Sequence, residues 1–154
     1  MGFAAVTKVD TALAGVSRVG FDTTPIIYFI EANSKYDAVV TDVFRRVHDG
    51  RILGVTSSIS VCEVLIVPIR NANSHLQTAY KDLLLHSDHF ETVPITADTA
   101  ELGASLRARY GLRTPDALQV ASAIAADSDV FLTNDFGLRR ISEIRVLLLD
   151  ELEL

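Results

Sequence analysis

Four acidic residues carry the chemistry that this 154-residue sequence offers. Asp22 follows the short apolar stretch Arg18 to Phe21, and Asp135 follows Val130 to Asn134. Glu63 lies about a turn and a half into the segment after Ile52 to Thr56, and Asp116 stands just inside a helix opened by Thr114-Pro115. Their separations of 41, 53 and 19 residues exclude a short local metal loop, so only the fold can bring them together. Several carboxylates in one place repel and raise each other's pKa unless a cation neutralises them. Carboxylate oxygen is the ligand type of Mg²⁺ or Mn²⁺, and such ions assist displacement at a phosphodiester.

Each acid alone also has a plainer reading. Asp22 suits a strand-end Asx turn, Asp116 suits the positive end of its helix, and Asp135 suits a cap on the short Phe136 to Arg140 helix. Ser60 and Glu63 have the spacing of a capping box. Ser57 and Ser58 are better placed as caps, however, which moves Glu63 into the helix body among Val61, Leu65 and Ile66. There an unpaired buried carboxylate would be costly.

The elements that must position these acids alternate along the chain. Strands are expected at Arg18 to Phe21, Ile52 to Thr56, Phe90 to Ile95, Val130 to Thr133 and Arg145 to Leu149. Helices are expected from Thr24-Pro25 to about Asn33, over Asp37 to His48, from Ser57 or Ser58 to about Ile69, over Ser74 to His86, over Thr96 to Tyr110, and from Thr114-Pro115 to Ala126. A short helix follows at Asp135 to Ile141. Pro68 is expected to end or kink the helix that contains it. Strands separated by helices call for right-handed crossovers. The expected fold is therefore α/β, a three-layer α/β/α sandwich around a mostly parallel five-stranded sheet, with ligands beyond the carboxyl ends of the strands. Residues 1–17 read as an N-terminal extension with a short helix near Thr11 to Val16, and residues 18–154 as a single domain.

Composition narrows the class. With 49% hydrophobic and 22% charged residues, global disorder is excluded. No apolar run approaches the ~20 residues that span a bilayer, so a chain without a membrane, in the cytoplasm, is expected. Cys62 is the single cysteine, excluding an internal disulfide, and is expected to be buried and inert. The net charge of −6 argues against a broad basic nucleic-acid surface. Two divalent cations would nevertheless cancel the four acids and leave about −2. Between Arg107 and Arg145 there are six arginines and no lysine, a composition suited to phosphate.

At these positions the sequence resembles the PIN-domain ribonucleases, particularly the VapC-type toxins of toxin–antitoxin pairs. Gly20-Phe21-Asp22-Thr23-Thr24-Pro25-Ile26-Ile27 resembles the family's opening strand and acid, and Val55 to Leu65 its strand-to-helix segment with an inward Glu. Leu112 to Ala123, containing Asp116-Ala117-Leu118, resembles the Asp-Ala-Leu helix, and Phe131 to Phe136 the last acidic motif. The resemblance implies an endoribonuclease dependent on one or two Mg²⁺ or Mn²⁺ ions, leaving a 5′-phosphate and a 3′-hydroxyl. It implies Asp22 and Asp116 as direct ligands, Glu63 orienting the attacking water or reaching metal through water, and Asp135 on a second ion. Thr24 and Thr133 are expected to support the ligands through hydrogen bonds, and Arg113, Arg139 and Arg140 to hold RNA phosphates. Homodimerisation and a co-expressed antitoxin are implied partners, with Val64 to Arg70 a candidate apolar partner surface or plain core. A non-catalytic PIN-like binding module and a non-toxin RNA-processing nuclease are the alternatives. Dehalogenase-type phosphatases, receiver domains and dinucleotide-binding domains each lack a required residue: Thr24 replaces a second Asp, no lysine follows Lys81, and no Gly-rich turn follows the first strand.

Overall fold

A computed structural model describes residues 5–154. Five strands, β2 (Arg18–Phe21), β3 (Leu53–Ser57), β4 (Phe90–Val93), β5 (Val130–Thr133) and β6 (Arg145–Leu148), form one sheet in the order β4-β3-β2-β5-β6. Every pairing in it is parallel. The chain leaves β2 toward β3 and β4, then returns to β5 on the other side, so the strand order reverses between β2 and β5. Ligand sites in such sheets open at that reversal.

Strands buried on both faces are continuously apolar. Val19, Phe21, Val130 and Leu132 point into one core with α2 (Thr23–Ile30), α3 (Asp37–His48), α4 (Ser58–Arg70) and α5 (Ser74–His86). Phe131 points into the other, with α6 (Ala97–Tyr110) and α7 (Thr114–Ala125). Phe21 stacks on Phe44 at 4.7 Å and meets Phe90 at 5.6 Å between ring centroids, anchoring β2 one residue before Asp22.

The helix ends follow capping chemistry, with some differences from expectation. Asp22 caps α2, which begins at Thr23, one residue before the expected start, and its carboxylate accepts from the Thr23 N–H. Ser57 caps α4 and leaves Ser60 inside that helix. Pro68 does not end α4, which runs two residues further to Arg70. Between Asp135 and Ile141 only a 3₁₀ turn at Phe136–Leu138 forms, capped by Asp135. Gly111, at φ 69°, closes α6 in the left-handed conformation.

The N-terminal segment is integrated into the domain. Its β1 (Thr7–Lys8) pairs in parallel with β7 (Leu152–Glu153). The helical turn falls earlier than expected, at α1 (Val9–Ala12), because Val9, Ala12 and Leu13 are the residues buried in the core beside Leu149 and Leu152.

Gly20 sets the distance between β2 and α7. A Cβ there would lie 2.6 Å from the Ala123 Cβ, closer than packed carbons approach. Only hydrogen at position 20 lets the helix carrying Asp116 rest against the strand ending at Asp22. Gly20→Ala is expected to cost about 1–3 kcal/mol in urea denaturation. In a Gly20→Ala, Ala123→Gly double variant the loss should be smaller than the sum of the single losses. Additive losses would contradict the close approach.

Candidate active site at the carboxyl ends of the central strands

Asp22 stands at the end of β2, where its N–H donates to the Leu132 carbonyl at 2.9 Å and continues the β2–β5 ladder past the strand. Its carboxylate takes two further bonds. Oδ1 accepts from the Thr23 N–H and Oδ2 from the Thr133 hydroxyl, each at 2.8 Å. Thr133 in turn accepts from the Asp135 N–H at 3.0 Å, so one hydroxyl ties the last residue of β5 to the acid of β2 and the turn beyond. Burial raises the Asp22 pKa from 3.8 to about 6; the two hydrogen bonds oppose this, and the charges of Asp116 and Glu63 add to it.

Asp116 enters from the first turn of α7, whose Pro115 suits the helix start. Arg113 grips it, with Nε 3.0 Å from Oδ2 and Nη2 3.4 Å from Oδ1. That guanidinium, 79% exposed, also lies in the field of Asp135 and Glu63, and all three acids hold it more firmly protonated. Glu63 is exposed rather than buried among Val61, Leu65 and Ile66. Its neighbours on α4 explain this, since Ser60 and Val64 take the inward positions. Glu63 Oε1 accepts from the Thr23 hydroxyl at 2.8 Å. Asp135 is also exposed and accepts from the Gly137 N–H at 2.8 Å, the capping bond weighed from sequence.

Asp22, Glu63 and Asp116 thus share one electrostatic neighbourhood, and Arg113 links it to Asp135. Among the described residues, no three acidic, histidine or cysteine side chains come close enough to hold one ion. Like charges separate when uncompensated, and Asp116 faces Arg113 instead of Asp22. In donor chemistry the residues suit a hard divalent cation: all are carboxylates, and the most buried has no cationic partner.

Other expectations meet the structure less directly. Thr23, not Thr24, supplies the hydroxyl that meets Glu63. Arg139 pairs with Glu151 at 2.7 Å, and Arg140 donates to the Gly137 carbonyl at 3.2 Å and to the Tyr110 carbonyl. Of the three arginines, Arg113 is the one in contact with an acid of the site. Cys62 is exposed, contrary to its expected burial. Sequence reasoning missed Gln119, whose buried amide meets Ser57, Ser60 and Thr23. The available signal was a polar residue in an otherwise apolar stretch of α7, from Ala117 to Ala121.

A raised carboxyl pKa has a defined pH signature. Asp22 binds its proton more tightly folded than unfolded, so its stabilising contribution is full below about pH 4 and is lost as pH rises through about 6. In chelator, Asp22→Asn should gain on the order of 1–2 kcal/mol over the parent near pH 7. The gain should vanish near pH 4 in parallel urea melts. Equal stabilities at both pH values would remove the burial account.

The PIN domain family model matches residues 20–144. No curated protein sequence matches the chain significantly. Among solved structures, the chain is similar to VapBC2 from Rickettsia felis bound to a promoter DNA fragment, with a TM-score of 0.68 and 18% identity over 85% of this chain and 98% of that one. A toxin–antitoxin complex from Klebsiella pneumoniae gives 0.64 and 20% identity over 86% and 98%. The sarcin–ricin-loop-cleaving toxin VapC20 of Mycobacterium tuberculosis gives 0.63 and 16% over 84% and 99%. These likenesses establish the fold. With the family match covering most of the chain, and the acids of four motifs at or beside the carboxyl ends of the strands, the chain belongs to the PIN domain family.

Proposed function

We propose that this chain is a divalent-metal-dependent endoribonuclease and the VapC-type toxin of a toxin–antitoxin pair. The observation that carries the proposal is the half-buried Asp22 carboxyl, its pKa raised by desolvation, flanked by the charges of Asp116 and Glu63 and lacking a cationic side-chain partner. Such a place is costly for an isolated protein and favourable for a cation. Asp22 and Asp116 would hold Mg²⁺ or Mn²⁺, with Asp135 reaching a second ion. When bound, the ion supplies a more acidic water and a counter-charge for the phosphodiester under attack.

The chain's own groups do the rest. The Thr133 hydroxyl and Thr23 N–H hold both oxygens of Asp22 in place. Glu63 orients the attacking water. Arg113, once Asp116 turns to the metal, is free to hold an RNA phosphate. The toxin–antitoxin complexes among the structural neighbours support an antitoxin as partner, and the RNA-cleaving neighbour supports RNA as substrate. Ile66, Val67 and Ile69 on α4 and Leu85 on α5 are exposed, offering an apolar seat for the antitoxin or a second copy. Among the described residues no helix is long and apolar enough to cross a membrane. The activity belongs in the cytoplasm, with its RNA.

A non-catalytic binding module is the competing possibility, favoured by the failure of three acids to meet in one coordination sphere. The two separate in one experiment. Purified protein free of antitoxin is incubated with a panel of structured RNAs in Mg²⁺, Mn²⁺ or chelator, beside Asp116→Asn. Cutting that requires metal, and falls on the order of 100-fold or more in a variant with parental melting behaviour, is expected. Absence of both cutting and Mn²⁺-induced thermal stabilisation would favour the binding module.

A further inference from the structure

Behind the acids lies a closed polar cluster. Gln119 is 3% exposed, on α7 one turn after Asp116. Its Oε1 accepts from the Ser57 hydroxyl at 2.6 Å, while Nε2 donates to Ser60 Oγ at 2.7 Å and Thr23 Oγ1 at 2.9 Å. The Thr56 hydroxyl donates to the Phe21 carbonyl at 2.9 Å and lies 2.8 Å from Ser60 Oγ. Thr23, Thr56, Ser57 and Ser60 are all buried.

Each hydroxyl has one proton to give, which fixes the direction of the network. Ser57 gives its proton to the amide oxygen, so the amide NH₂ faces Ser60 and Thr23. Thr56 gives its proton to the Phe21 carbonyl, so Ser60 donates to Thr56. The Thr23 proton then has two acceptors in reach, Ser60 Oγ at 2.9 Å and Glu63 Oε1 at 2.8 Å. Ser60 already receives an amide proton, and a carboxylate is the stronger acceptor, so the Thr23 proton goes to Glu63.

We propose that Gln119 is a positioning residue, acting through Thr23 to hold the Glu63 carboxylate in one orientation. Without its NH₂, the Thr23 hydroxyl turns to Ser60 to satisfy a buried oxygen that has lost its donor. Glu63, exposed on α4, then regains the rotamer freedom of a surface glutamate. The positioning stands on the hydrogen bonds alone; its catalytic consequence rests on the nuclease function proposed above.

The test uses Gln119→Met, which keeps length and removes every hydrogen bond, with Thr23→Val and Thr23→Ser as a second pair. In metal-free protein, side-chain three-bond couplings of Glu63 should report one rotamer in the parent and Thr23→Ser, and averaging in Gln119→Met and Thr23→Val. A single rotamer in Gln119→Met, or in Thr23→Val if the former does not fold, would overturn the proposal. In RNA cleavage, Gln119→Met should lower kcat about 10–100-fold with little change in KM, and add no loss in a Glu63→Gln background. Equal losses in both backgrounds would make Gln119 structural. If the parent neither cleaves RNA nor is stabilised by Mn²⁺, the nuclease function fails while the rotamer comparison still decides the positioning.

Discussion

The Asp22 carboxyl is the constraint around which this molecule is built. It sits half-buried at the end of the central strand, where the strand order reverses, and desolvation there raises its pKa. A charged group in that place must be compensated or protonated. Two donors, the Thr23 N–H and the Thr133 hydroxyl, compensate it in part. Each comes from the element next in space, so the hydrogen bonds also fix how β2, α2 and β5 meet. Gly20 brings α7 close to the same strand, and with it Asp116.

The remaining charge organises the surroundings. Arg113 answers Asp116 from the solvent side and leaves Asp22 without a cation. With the Arg113 side chain 79% exposed, its pair with Asp116 is a weak contact that another cation can displace. Behind this exposed face, the Gln119 network is dense and directional.

The fold was legible because its periodicities are strong. Val130 to Thr133 is uniformly buried, and Asp37 to His48 carries Val40, Val43, Phe44 and Val47 at helical spacing. Asp22, Glu63 and Asp116 were legible as neighbours because each lies at or just beyond a strand end or helix start in a parallel sheet. What escaped depended on tertiary contact. From sequence, Thr23 and Thr24 are equivalent hydroxyls; packing against Ser60 and Gln119 selects Thr23. Val61, Leu65 and Ile66 give Glu63 an apolar neighbourhood in sequence, but Ser60 and Val64 take the inward positions and leave Glu63 exposed. Cys62 is exposed for the same reason. The N-terminal segment read as an appendage because its pairing partner, Leu152–Glu153, lies at the other end of the chain.

Anomalous diffraction at the manganese edge, from crystals grown with Mn²⁺, tests the metal site most directly. A peak bound by Asp22 together with Asp116, with Arg113 turned away, is predicted. No peak beside Asp22, with the Arg113–Asp116 pair intact at saturating Mn²⁺, would contradict it.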